Sequence, residues 1–227
     1  MERRHYLRTA ATVGLAGAAG CLNVVPGFGD DRTVLDEPEI DLSAAAHPSH
    51  GDDLPSVTVL DPLLGEEVST DQFEGERAVL LTLFYTNCPD GMCPALILRL
   101  RRAQERAAEA GYGDDAAFLA LTFDPERDTA DVLETYAAQQ GVDLGASNWH
   151  FLRPETFEGG ADLIEEQFGL VIEKQPADEY ESLEYVFPHY NLILLANADG
   201  VVERAYPDGA TVDVSRVVED FETVVTA

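Results

Sequence analysis

Residues 79–85 read Val-Leu-Leu-Thr-Leu-Phe-Tyr, a near-continuous apolar run of strand length with no alternation. A strand with one wet face alternates apolar and polar residues. A run apolar on both sides needs a sheet covered on both faces, which is the condition of α/β proteins. A second such run spans 116–123, and helical periodicity fills the space between them. Over 94–110, Leu96, Ile97, Leu100, Ala103 and Ala107 share one face, while Arg99, Arg101, Arg102 and Arg106 fall largely outside it. Residues 129–140 read as the next helix, with Asp128 as its N-cap. Residues 149–152 follow as a short strand, 157–168 as a helix and 169–173 as an extended piece. The polar stretch 175–184 reads as a surface loop, and 191–196 with 201–206 as a hairpin turned by Asp199-Gly200. A helix over 212–225 closes the order. Strand 56–60 precedes all of this as an N-terminal strand or hairpin extension. Strands alternating with helices, ended by a hairpin and a helix, predict a thioredoxin-like α/β fold, a central mixed sheet flanked by helices.

The run 79–85 ends in Thr86-Asn-Cys88-Pro-Asp-Gly-Met-Cys93-Pro94, so two of the three cysteines sit where a strand passes into a helix. Unpaired N–H groups and the positive dipole end at a helix start favour thiolate over thiol. Pro94 suits the first helical turn, where its missing N–H removes nothing. In an unbroken helix a spacing of five would set the sulfurs about 140° apart. Asp90-Gly91 permits a turn first, after which the sulfurs can converge on one metal ion or each other. A soft thiolate pair suits Cu(I) or zinc; a redox couple and a structural disulfide are the other uses of such a pair. A peroxidase is disfavoured, because Tyr85 and Asp90 stand three residues before the cysteines, where peroxiredoxins carry Thr or Ser.

The N-terminal segment reads as an address. Met1-Glu-Arg-Arg-His-Tyr-Leu, followed by a short run of Ala, Gly, Thr, Val and Leu, resembles a twin-arginine export signal. The run is too short to span a bilayer, which takes about 20 apolar residues. It ends in Ala18-Ala-Gly-Cys21, which resembles a lipoprotein cleavage site with Cys21 as the lipidated residue. Residues 1–21 are therefore read as a lipoprotein signal, 22–55 as an acidic flexible tether, and 56–227 as the folded domain. His47 and His50 fall in the tether and read as a solvated pair. The 43 acidic residues outnumber the 14 basic ones, for a formal net charge of -29, and are scattered rather than blocked. Dispersed acid over a chain that is still 45% hydrophobic describes a folded domain with an anionic surface, stable where salt screens self-repulsion. The expected setting is halophilic, and nucleic acid is excluded as a partner because phosphate would meet a field of its own sign.

Three pieces together resemble the Sco/SenC family of copper chaperones: Cys88-Pro-Asp-Gly-Met-Cys93-Pro94 at the strand–helix junction, Asp124-Pro-Glu-Arg-Asp128 after the next strand, and His189 before the hairpin. The resemblance covers about residues 56–225. It implies a copper site of two thiolates, Cys88 and Cys93, and one imidazole, His189, holding Cu(I) or Cu(II). It also implies service in assembling the dinuclear copper centre of a respiratory oxidase, with an oxidase subunit as partner; the N-terminal segment adds the expectation that lipidated Cys21 holds the protein at the outer face of the membrane. Asp90, Asp124, Arg127 and Pro188 are supporting residues on this reading. The cysteine gap is one residue longer than the family's, through Gly91-Met92, and Pro188 stands where the family carries Asp. Proline before a strand facing the cysteine junction predicts a cis Phe187–Pro188 bond. His150, inside an apolar strand, is read as structural and Met92 as outside the site. The same pair could instead serve an exported thiol–disulfide oxidoreductase, which would work without His189.

Overall fold

In the computed structural model, residues 32–180, 183–188 and 191–227 are described. The twin-arginine segment, Cys21, Glu181, Ser182, His189 and Tyr190 lie outside them. Thirteen elements follow in order. They are β1 (Thr58–Asp61), β2 (Glu66–Ser69), β3 (Ala78–Phe84), α1 (Met92–Ala110), β4 (Ala116–Thr122), α2 (Ala130–Gln140), β5 (Trp149–Leu152), α3 (Phe157–Phe168), β6 (Gln175–Pro176), β7 (Tyr185–Val186), β8 (Ile193–Ala196), β9 (Val202–Tyr206) and α4 (Val214–Val225).

The main sheet is mixed, in the order β5-β4-β3-β8-β9. β3 and β4 lie parallel with Leu81 opposite Leu119, and β8 runs antiparallel to β3. Every residue of β3 and β4 is buried, as their unbroken apolar runs require. Helices α1 and α4 pack on each other, and α2 packs on α1. α3 returns the chain to β8 on the far side of β3. Phe84, Phe118, Phe151 and Phe221 are fully buried, and burying one aromatic side chain contributes about 1.5–3 kcal/mol. The architecture is the thioredoxin-like one that the order of elements predicts.

Several local expectations give way to longer-range partners. Asp128 does not cap α2: the N-cap is Thr129, with no side-chain cap bond, and the Asp128 carboxylate faces Thr86 and Thr122 instead. Arg99 does not stay outside the buried face of α1. It lies 6% exposed, its Nε donating to Val212 O at 3.0 Å and its Nη1 to Ala95 O at 2.7 Å. A guanidinium with carbonyl acceptors can be sunk beside an apolar face while its stem packs. Residues 169–173, read as an extended piece, join no strand, and the pairing falls later: Gln175 and Pro176, inside the stretch read as a loop, meet Val186 and Tyr185 just beyond it.

The segment 32–54, composed like a tether, is tied to the outer edge of the sheet. Glu203 on β9 is fully buried and accepts from Val34 N at 2.8 Å, Leu35 N at 2.9 Å and Asn197 Nδ2 at 2.6 Å. Gly51 N donates to Val202 O, and Val202 N to Asp52 O, so the free edge of β9 is paired. His50 Nε2 lies 3.1 Å from Leu35 O, and His47 Nδ1 2.9 Å from Pro48 O, each occupied inside this strap. A buried acid with three donors anchors backbone that composition alone marks as mobile.

Candidate metal centre

The two cysteines meet because of Gly91. It is the N-cap of α1 with φ 80 and ψ 6, left-handed backbone that glycine adopts without a Cβ penalty. The reversal lets the five-residue separation close. Cys93 N donates to Cys88 Sγ at 3.2 Å, and the Cys93 thiol is within hydrogen-bonding reach of the same sulfur. Asp90 braces the turn from outside, its Oδ1 accepting from the Cys88 thiol at 3.2 Å and from Met92 N at 3.3 Å. Both cysteines are reduced, Cys88 half-buried and Cys93 only 2% exposed.

The pair is chemically unequal. The Cys93 thiol hydrogen bond holds the Cys88 thiol below its ordinary pKa and the Cys93 N–H adds to this, against burial and Asp90. Burial first, then donation to Cys88, pushes the Cys93 thiol well up. Cys88 is thus the outward, more acidic thiol and Cys93 the inward one that gives up its proton less readily. Beneath them lie Tyr85 and Tyr136, whose hydroxyls burial pushes up, with the cysteine charges adding to it.

The loop 124–128 holds this turn from behind. Thr86 N and Oγ1 both donate to the Asp128 carboxylate, as does Thr122 Oγ1. Burial pushes Asp128 up to about 6, opposed by the threonine hydrogen bonds. Asp124, fully buried, accepts from Arg127 Nε and from the Tyr185 hydroxyl, the latter at 2.8 Å. Arg127 Nη1 donates to Tyr185 O at 3.2 Å, and its guanidinium lies 3.8 Å from the Tyr185 ring centre. Phe187 is buried with its ring 5.1 Å from those of both Tyr85 and Phe123.

The structure therefore brings together Cys88, Cys93 and Asp90, and places Asp124 and Arg127 on a loop that reaches both the cysteine turn and residues 185–188. Pro188 ends the described part of that stretch; His189 and Cys21 lie outside the described residues. Among the described residues no group of three or more His, Cys, Asp or Glu side chains could hold a metal ion. His150 is buried 3.3 Å from Asp61 through Nδ1, and Met92, within the cysteine turn, is half-buried with its side chain packed against the core. Thr86, Thr122, Tyr136, Tyr185 and Phe187 were not singled out from sequence as part of the site's surroundings. For Tyr185 and Phe187 the available signal was an aromatic pair just before Pro188-His189.

The fold is that of known proteins. A SCO1/SenC family lipoprotein from Bacillus anthracis aligns with a TM-score of 0.61 and 19% identity over 77% of this chain and 95% of its own. BsSco, a member of the Sco family of cytochrome c oxidase assembly proteins, gives 0.60 and 20% over 78% and 96%. Bradyrhizobium japonicum ScoI, solved with copper bound, gives 0.54 and 20% over 78% and 99%. No curated protein matches the sequence. The family model for SCO1/SenC matches residues 60–226, which includes both cysteines, the 124–128 loop and His189, and the chain belongs to that family.

Proposed function

We propose that the protein is a copper metallochaperone serving the dinuclear copper centre of a cytochrome c-type oxidase. Copper is its cargo, held by the Cys88 and Cys93 sulfurs and the His189 imidazole. The observation that carries this reading is the cysteine turn. Two reduced thiols sit within hydrogen-bonding distance at a helix start, one facing out and one in. Soft sulfur donors at such a bite suit Cu(I). Cys88, the more acidic and more exposed thiol, engages copper first. Its neighbour follows as metal charge replaces the two thiol protons, which leave to water. His189 then fills the third position and, being neutral and monodentate, can yield it during transfer.

The segment before Arg32 fits delivery at a membrane. Twin arginines and Cys21 would export the chain and tether it by lipid to the outer face, where its target, a membrane oxidase subunit, presents its copper site. The anionic surface suits a saline exterior. A second reading, thiol–disulfide exchange with exported proteins, draws on the same inequality of the two thiols. Cys88 would attack a partner's disulfide and Cys93 would resolve the mixed disulfide, leaving the pair oxidised by two electrons and the partner as two thiols.

Competition for Cu(I) between the reduced protein and a chelator separates the two. The chaperone reading expects one tightly held copper per chain, weakened at least tenfold in His189→Ala. Binding indifferent to His189, or absent, would leave the exchange reading in place.

A further inference from the structure

A cavity of about 450 Å³ lies where the strap passes the end of β9 and the start of α4, and it shares no residue with the cysteine turn. Its walls are apolar: Pro38, Ile40 and Leu42 from the strap, Tyr206 and Pro207 at the end of β9, and Val212 ahead of α4. Ile40 is 71% exposed, an apolar side chain left open to water. Two of the 14 basic residues, Arg204 and Arg216, also line the cavity. Arg204 is only 9% exposed, yet its Nε has no hydrogen-bond partner. Its one bond runs from Nη1 to the carbonyl of its own neighbour Glu203, at 2.7 Å, and no carboxylate of the described residues stands within ion-pair distance of it. Arg216 lies 3.8 Å from Asp220, whose carboxylate already accepts from the Tyr206 hydroxyl at 2.7 Å. Burial and the bond to Asp220 push the Tyr206 hydroxyl up, and both guanidinium charges oppose this, so the two cations converge on that wall.

A buried guanidinium with an unused N–H and no counter-ion is costly, and in a chain with 43 acidic residues it is out of character. Elsewhere the arginines find carboxylates: Arg127 has Asp124 and Arg106 has Glu222. An apolar trough with a sheltered cation suits a molecule that carries an anionic head on an apolar chain. We propose that this cavity binds such an amphiphilic anion, its carboxylate or phosphate head accepting from the Arg204 guanidinium and its chain lying against Ile40, Leu42 and Val212. Glu39 and Asp208 also line the cavity, but both are exposed, so salt screens their repulsion while the sheltered Arg204 charge is screened much less. The thiols take no part, and the proposal stands independently of the copper reading. A free medium-chain carboxylate and an anionic lipid of a bilayer share this chemistry.

The test uses the full chain, reduced and metal-free in high salt, with decanoate as the anionic probe and decyltrimethylammonium as a cation of equal chain length. Calorimetry should find one decanoate per chain and bind the ammonium about tenfold more weakly or worse. The Arg204 Nε–H resonance should move as decanoate is added. Arg204→Met keeps the bulk of the stem and removes an unpaired buried charge, so it should weaken decanoate about tenfold or more without lowering Tm. Ile40→Asp, at an exposed position, should weaken decanoate with the guanidinium intact, and it carries the test together with the Nε–H resonance if Arg204→Met does not fold. Decanoate that fails to bind, binds no better than the ammonium, or binds Arg204→Met or Ile40→Asp as tightly as the parent overturns the proposal. Flotation with phosphatidylglycerol vesicles, on chains carrying Cys21→Ser so that no lipid anchor contributes, separates the two sources. Flotation that Arg204→Met abolishes makes the ligand a bilayer lipid; decanoate binding without such flotation makes it a free amphiphile.

Discussion

Gly209 is where a single methyl group should do the most measurable damage near the site. It lies buried in the turn between β9 and α4, and its N–H donates to Asn191 O at 2.6 Å, two residues past His189. A Cβ there would stand 2.5 Å from that same carbonyl and 2.8 Å from Ile193 Cγ1. Both neighbours are fixed, one as backbone and the other as the first, fully buried residue of β8. In Gly209→Ala the chain around Asn191 must move away. Overpacking of this kind costs about 1–3 kcal/mol, and losing the hydrogen bond adds about 0.5–1.5 kcal/mol. Together they predict a loss of about 2–4 kcal/mol, or a fall in Tm of about 5–15 °C for a chain of this size. Urea denaturation in high salt, followed by circular dichroism on the reduced, metal-free protein, gives the number. Because the displaced chain begins just after His189, copper affinity should fall with stability. A loss below about 0.5 kcal/mol would show that the contact is soft and that the turn does not fix the entry to β8.

The other expectations are narrower. Asp128 is held near 6 in the fold against an ordinary value near 3.9, so between those pH values the folded chain binds the extra proton. Its contribution to stability therefore improves as pH falls from about 6 to about 4, by up to about 3 kcal/mol, and is constant below both values. The stability difference between the parent and Asp128→Asn should slope across that window; a flat difference from pH 4 to 7 would refute the assignment. With limiting iodoacetamide near neutral pH, Cys88 should be alkylated well before Cys93, because it is the more acidic and the more exposed thiol. Peptide mapping reads the order, and preferential labelling of Cys93 would contradict the asymmetry.

How much of this was legible beforehand follows the range of each interaction. β3, β4, α1 and α2 declare themselves in apolar runs and helical periodicity, which are local patterns. The cysteine turn was readable too, because Gly91 between two cysteines at a helix start admits few conformations. What sequence could not supply were partners far along the chain. Asp128 occupies a good N-cap position, but Thr86, 42 residues earlier, offers it a better-enclosed site. Glu203 resembles any acid on an edge strand until Val34 and Leu35, more than 160 residues earlier, bring it their N–H groups. Arg99 has the same history with Val212. β6 and β7, two residues each, carry no periodicity to detect. Tyr185 directly follows the acidic stretch read as a surface loop, and only the fold shows it clasped by Asp124 and Arg127.

The central claim is the ligand set, and X-ray absorption at the copper edge of the Cu(I)-loaded protein addresses it most directly. The account predicts two sulfur scatterers and one imidazole per copper, with the imidazole signature lost in His189→Ala and one sulfur lost in Cys88→Ser. Copper held by sulfur alone, or an imidazole signature that persists in His189→Ala, would contradict it.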